Sequence, residues 1–163
     1  MNRPLKSPPQ CPTVGWQWLR AQDLHDTPGC KPGKNKRCEF CGQEKVQFVH
    51  YLSHPDCKRI LAVGRKCAKI LSGDPRVEAT ERYLCDRAQR KADFIHHKGW
   101  RPSAQGNFWI EYQGRHIVVV SYRHGPFKLR IDDVTGKLFF KNAVAAMGKA
   151  FDVLEEKHPE PEY

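Results

Sequence analysis

No run of apolar residues in this chain approaches the length of a membrane span, so a transmembrane helix is not expected. The N-terminus, MNRPLKSPPQCP, is polar and proline-rich and lacks the apolar stretch of a signal peptide. A cytoplasmic, reducing compartment is therefore expected, where a CxxC pair reads as metal-binding or redox-active rather than as part of a disulfide framework. No glycine-rich loop follows a strand pattern, and no Ser-His-Asp order stands out, so neither phosphate-loop nor triad chemistry is indicated. Internal repeats and long low-complexity segments are lacking too. Apolar residues make up 39% of the 163 positions and charged residues 28%, which is lean for a self-sufficient core. A lean core is a reason for a metal staple. Acid is also in short supply: 18 Asp and Glu face 28 Lys and Arg, a formal charge of +10. That excess attracts polyanions, nucleic acid foremost, unless it serves only to keep the surface soluble.

What the chain does have is concentrated between Arg37 and Leu71. Cys38 and Cys41 form a CxxC followed by Gly42, and Cys67 follows Gly64-Arg65-Lys66 at a predicted helix start. Two thiolates three positions apart on a tight turn can share one ion. A third at a helix N-terminus is favoured by the positive end of the dipole. Zinc takes four soft or borderline ligands in a tetrahedron, so this set points to structural Zn²⁺. His54 is the first choice for the fourth ligand, on the reasoning that the hairpin turn folds back over the knuckle; His50 and Cys57 are the alternatives. Cys11, Cys30 and Cys85 have no partner spacing and read as ordinary thiols.

The patterning predicts an α+β fold: a treble-clef-like zinc module, a connecting basic helix, and an antiparallel three- to four-stranded sheet packed on a C-terminal helix. Residues 1–37 read as a flexible, basic arm with a short element carrying Trp16 and Trp18. These would diverge on a helix capped by Thr13 and share a face on a strand. Residues 38–99 hold the zinc module and the helix. Its strands are expected at 45–52 and 59–63, a short helix at 66–71, and a long one from Asp74-Pro75 to Lys98 with Val77, Leu84, Ala88 and Ile95 near one stripe. Residues 100–157 form the sheet-plus-helix module. Strands are expected at 108–112, 116–122, 127–131 and 138–140, and a helix capped by Asn142 from 143 to 157. Residues 158–163 are a tail. Within the third module only one of Trp109 and Ile110 can face the helix.

Nucleic-acid contacts are expected chiefly to phosphates. Lys34, Lys36, Arg37, Arg65 and Lys66 surround the expected metal, and Arg87, Arg90, Lys91, Arg123, Lys128 and Arg130 are further candidates. The sheet mixes aromatic and cationic residues, as surfaces that meet DNA or RNA do, although one solvated face would explain the same pattern. Glu78 and Asp86 lie four residues before Arg82 and Arg90, so part of the helix charge is expected to pair internally.

The segments CEFCG, FVHYLSHP and AVGRKCA together resemble a loosely characterised family of small bacterial and phage zinc-binding proteins. These combine CxxCG with a histidine-rich strand and a VGxxCA helix start. The resemblance covers about residues 37–71 and implies a metal-stabilised module without an established activity. Members often carry cysteine where Arg65 stands, so here the fourth ligand shifts to a histidine. His50 with His54-Pro55-Asp56 is also similar to the first motif of HNH endonucleases. Against that likeness, Ala68 occupies the place of the expected metal-binding histidine, and no asparagine lies between the strands. The expected function is zinc-stabilised binding of DNA or RNA, with a phage or mobile-element origin. The alternatives are a protein-interaction adaptor for a host or partner complex, and a degenerate HNH-like metal-dependent nuclease; catalysis is the less expected outcome.

Overall fold

Gly15 adopts φ 81 and leads the chain into the first strand, which carries Trp18, while Trp16 stands just before it; neither lies on a helix. The fold is taken from a computed structural model that describes residues 12–26, 35–123 and 125–156. Strand β1 (Gln17–Asp23) pairs antiparallel with β2 (Phe48–His54), which pairs with β3 (Cys57–Val63) in a three-stranded sheet. The predicted arm is thus partly an edge strand, and Trp18 sits opposite Leu52. The hairpin turn is narrower than the expected 53–58, because β2 and β3 continue until His54 meets Cys57.

Gly64 ends β3 and N-caps α1 (Arg65–Ser72), which stops at Gly73 in the left-handed region, its N–H donating to the Lys69 carbonyl. Helix α2 (Arg76–Ile95) begins where Asp74 Oδ1 accepts the Arg76 N–H at 2.9 Å. The expected stripe on α2 is incomplete. Val77 and Phe94 near its ends are buried, whereas Leu84 and Ala88 are only half-buried and Tyr83 is exposed. Two compact units divide within this helix, Met1–Ala88 and Gln89–Tyr163. The first has a core of Trp16, Val49, Leu52, Leu61, Val63, Leu71 and Val77, into which Cys38 and Cys67 also pack.

The second unit is a five-stranded antiparallel meander: β4 (Arg101–Pro102), β5 (Phe108–Tyr112), β6 (Arg115–Ser121), β7 (Phe127–Ile131) and β8 (Val134–Phe140). Helix α3 (Ala143–Glu156) follows, with Asn142 Oδ1 accepting the Ala145 N–H at 2.8 Å. Strand alternation settles the Trp109 question. Ile110, Ile117, Val119, Leu129 and Ile131 bury against Ala146, Ala150, Phe151 and Leu154 of α3, so the intervening residues face the other side. The sheet has one strand more than expected because Arg101 and Pro102 pair with Trp109 and Phe108. Its last strand starts at Val134 rather than Leu138, with an irregular register between Lys128 and Arg130 opposite it. Among the described residues no helix is long and apolar enough to cross a membrane.

Candidate metal centre and cationic surfaces

Three backbone devices build the cysteine site. The Cys38 N–H donates to the Gln43 carbonyl at 2.8 Å and the Gly42 N–H to the Cys38 carbonyl at 2.9 Å, closing a tight turn around the CxxC. Gly42 holds φ 75, which favours glycine, and a Cβ there would stand 3.2 Å from the Arg37 guanidinium, which would have to shift. Next, Lys36 and Val46 exchange both backbone hydrogen bonds at 2.9 Å, clamping the base of the turn. The third device fixes the turn to the end of β3: the Glu39 N–H donates to the Ala62 carbonyl at 3.0 Å, and Glu39 Oε2 accepts the Ala62 N–H at 2.6 Å. Cys67 arrives in the first turn of α1, whose leading N–H groups meet no side-chain cap.

The sulfurs of Cys38, Cys41 and Cys67 lie within 4.8 Å of one another, close enough to share one metal ion. Cys38 and Cys67 are buried and Cys41 is half-buried. The Gly64 N–H donates to Cys38 Sγ at 3.5 Å. Hydrogen bonding from Cys67 holds the Cys38 thiol down at about 5, against the cost of burial, with help from the backbone at Cys41, Gly64 and Phe40. The same bond, together with burial and the charge of Cys38, pushes the Cys67 thiol far up. Peptide N–H groups aimed at sulfur also suit a metal-bound thiolate, which carries residual negative charge.

The expected fourth ligand is not at this site. Among the described residues no further histidine, cysteine or carboxylate joins the three sulfurs. His54 occupies the turn end of the β2–β3 hairpin, while the knuckle docks at the Ala62–Gly64 end. In an antiparallel hairpin those ends are separated by the length of the strands, about 20 Å for seven residues. His54 Nδ1 instead accepts the Asp56 N–H at 3.1 Å, and its ring tilts against Trp16 at 5.4 Å between centroids. Cys57 is disulfide-bonded and so is not a free ligand. His50 is fully buried with both ring nitrogens engaged: Trp18 Nε1–H donates to Nδ1 at 3.1 Å, and Nε2 meets Glu81 Oε2 at 2.8 Å. The HNH-like motif therefore presents no exposed base at His50. Glu81 also faces Arg65, whose Nη1 lies 3.5 Å from Oε1. This Trp18–His50–Glu81–Arg65 chain was not legible in the sequence, because 31 positions separate His50 from Glu81 and no local spacing links them.

Beside the sulfurs opens a cavity of about 460 Å³, lined by all three cysteines, by Lys45, Arg65 and Lys66, and by Glu81. Of the predicted cationic contacts, Arg65 and Lys66 therefore stand next to the metal-competent cluster. Lys36 lies over the Tyr51 ring at 5.5 Å, and the Arg37 Nε–H donates to the Gly42 carbonyl at 3.1 Å. Lys34 lies outside the described residues. The three predicted contacts on α2 face acids: Arg87 meets Asp26, Arg90 meets Glu155 at 2.8 Å, and Lys91 meets Asp152 at 2.8 and 3.0 Å. Expected as phosphate contacts, these three are neutralised where they stand. In the second unit Arg123 and Arg130 are exposed, and Lys128 Nζ sits 4.4 Å from the centre of the Phe139 ring.

Comparison with known proteins gave no match to a family model, to a curated sequence or to a solved structure.

Proposed function

We propose that the chain is a zinc-stabilised nucleic-acid-binding protein that contacts its ligand mainly through phosphates. Knuckle, hairpin and helix in this order, with thiols on the knuckle and in the first helical turn, are the parts of a treble-clef zinc module. Cys38, Cys41 and Cys67 are a donor set that zinc prefers over hard cations. The ion's role here is structural: it ties the knuckle to α1 in a chain with a lean core. The observation that carries the binding reading is the placing of Lys45, Arg65 and Lys66 around the cavity that the three cysteines line, on a chain of formal charge +10. A bound phosphate there meets cations held by a rigid module rather than by a mobile arm.

The test is affinity for labelled DNA and RNA as a function of salt. Log affinity should fall linearly with log salt concentration, and replacing Arg65 and Lys66 together by Ala should reduce the slope by about 1.4 to 1.8. An affinity indifferent to salt removes the proposal. The adaptor reading draws on a different feature, the edge strand β8, which exposes Val134, Leu138 and Phe139. Of the four tryptophans, three do not favour it: Trp16 is buried, and Trp18 and Trp100 spend their indole N–H groups on His50 and the Phe94 carbonyl, which leaves Trp109, half-buried on the sheet.

A further inference from the structure

The five-stranded sheet of the second unit buries one face under α3; on the other face Val118 is buried, and the remaining described residues are half-buried or exposed. The residues of that outer face alternate rings with cations. Arg101 lies over the Trp109 ring at 5.4 Å, His116 tilts against the same indole at 5.8 Å, and Lys128 lies over Phe139 at 4.4 Å, with Tyr122 edge-on to Phe139 at 6.5 Å. A cavity of about 240 Å³ opens beside Trp109 and His116, walled by Val118 and Arg130, with Gln105 and Asn107 among its polar lining. Strand register puts Trp109, Val118 and Arg130 in one row across β5, β6 and β7, and sets Lys128 opposite Phe139 on β8. Three strand spacings and two residues of offset separate the Trp109 and Phe139 rings by about 16 Å.

We propose that this face binds unpaired bases, so that the nucleic acid this protein takes is single-stranded. The inference rests on the nucleic-acid reading above and narrows it. A ring exposed on a sheet can stack with a base only if the base has left its own stack, which a duplex does not offer without being opened. Each ring carries a cation over its face, and a stacking base takes that place while the long, flexible side chain swings to the base's phosphate. A base stacked on the ring therefore brings its phosphate into reach of Arg101 or Arg130 at one station and Lys128 at the other. The acid on this side, Glu111, is bonded to His116, and its charge does not stand alone against the strand. Two stations about 16 Å apart select an extended strand of several nucleotides over a mononucleotide. Gln105 and the Trp109 cavity provide a recess for one base edge.

The test is fluorescence anisotropy of the full chain with a labelled oligothymidine of about twelve nucleotides, with the same strand annealed to its complement, and with heparin as a competitor of pure charge. The single strand should bind more tightly than the duplex. Trp109→Ala and Phe139→Ala should each weaken single-strand binding about tenfold and leave duplex binding unchanged, while Trp109→Phe retains most of it. Arg130→Glu, an exposed change that spares the core, should weaken the single strand in a protein of unchanged melting temperature. It stands in if the ring variants unfold. Equal affinity for single strand and duplex, or single-strand binding untouched by Trp109→Ala, Phe139→Ala and Arg130→Glu in folded protein, overturns this inference and leaves the phosphate-binding reading standing. Failure of every nucleic acid to bind removes both.

Discussion

Replacing His50 by Ala removes the centre of a buried polar chain and offers the sharpest test of how the first unit is held together. His50 is 0% exposed, donates to Glu81 at 2.8 Å and accepts from Trp18 at 3.1 Å. Loss of the ring takes away two hydrogen bonds, each contributing about 1 kcal/mol net, and the one to a carboxylate more. It also strands the Trp18 indole N–H and one oxygen of Glu81, a group only 13% exposed, at about 1 to 3 kcal/mol. A void the size of an imidazole adds to this. The total is about 4 kcal/mol, a large share of the 5 to 15 kcal/mol typical of a domain. In urea denaturation followed by tryptophan fluorescence, the midpoint should fall by about 2 M at a slope near 2 kcal/mol/M. Glu81→Gln keeps an acceptor for the ring N–H and should lose only about 1 kcal/mol. A His50→Ala protein within about 0.5 kcal/mol of the parent would refute the reasoning, because surface substitutions behave that way and buried network members do not. The nuclease reading has its own test: plasmid incubated with parent protein and Mg²⁺ or Mn²⁺ should remain intact, and cleavage that His50→Ala abolishes would revive it.

Gly42→Ala forces a Cβ onto a residue at φ 75 and against the Arg37 guanidinium, and should cost about 1 to 2 kcal/mol by thermal unfolding, or more if the CxxC turn opens. Arg87→Ala, Arg90→Ala and Lys91→Ala should change nucleic-acid affinity little, since each cation faces an acid more closely than Arg65 faces Glu81; a loss matching that of Arg65→Ala would contradict this in a gel shift. Thiol titration of unfolded protein should count two fewer reactive cysteines before reduction than after, reflecting the disulfide at Cys57. An equal count would show that the bond is absent in the compartment of expression, as a reducing cytosol favours. Metal uptake should weaken as pH falls, because the thiols must be deprotonated to bind. Cys38, held at about 5, is the last to be lost, and isothermal titration with Zn²⁺ between pH 6 and 8 reads the trend.

Local chemistry carried most of the legible information. Gly42, Gly64 and Gly73 punctuate the first unit, Asp74 and Asn142 start helices with their own side chains, and alternation along β5, β6 and β7 marks which sheet face is core. CxxC spacing and a cysteine in the first turn of a helix were enough to bring three sulfurs together. What failed depended on distance along the chain. His54 looked adjacent to the knuckle because a short turn can fold back. An antiparallel hairpin with strands of seven residues instead puts its turn at the far end. Trp16 and Trp18 carried two patterns at once, and pairing of β1 with β2 settled Trp18 as a strand residue, with Trp16 just ahead of the strand. The cations of α2 looked available because their partners Asp26, Asp152 and Glu155 lie about sixty positions away, beyond any helical spacing.

Metal content per chain is the most direct measurement of the central claim. Protein purified without added metal and analysed by elemental mass spectrometry should carry about one zinc per chain, lose it in Cys67→Ser, and unfold at a lower temperature after chelation. Metal-free protein whose melting temperature is the same with chelator, with added zinc, and with Cys67→Ser would contradict the account.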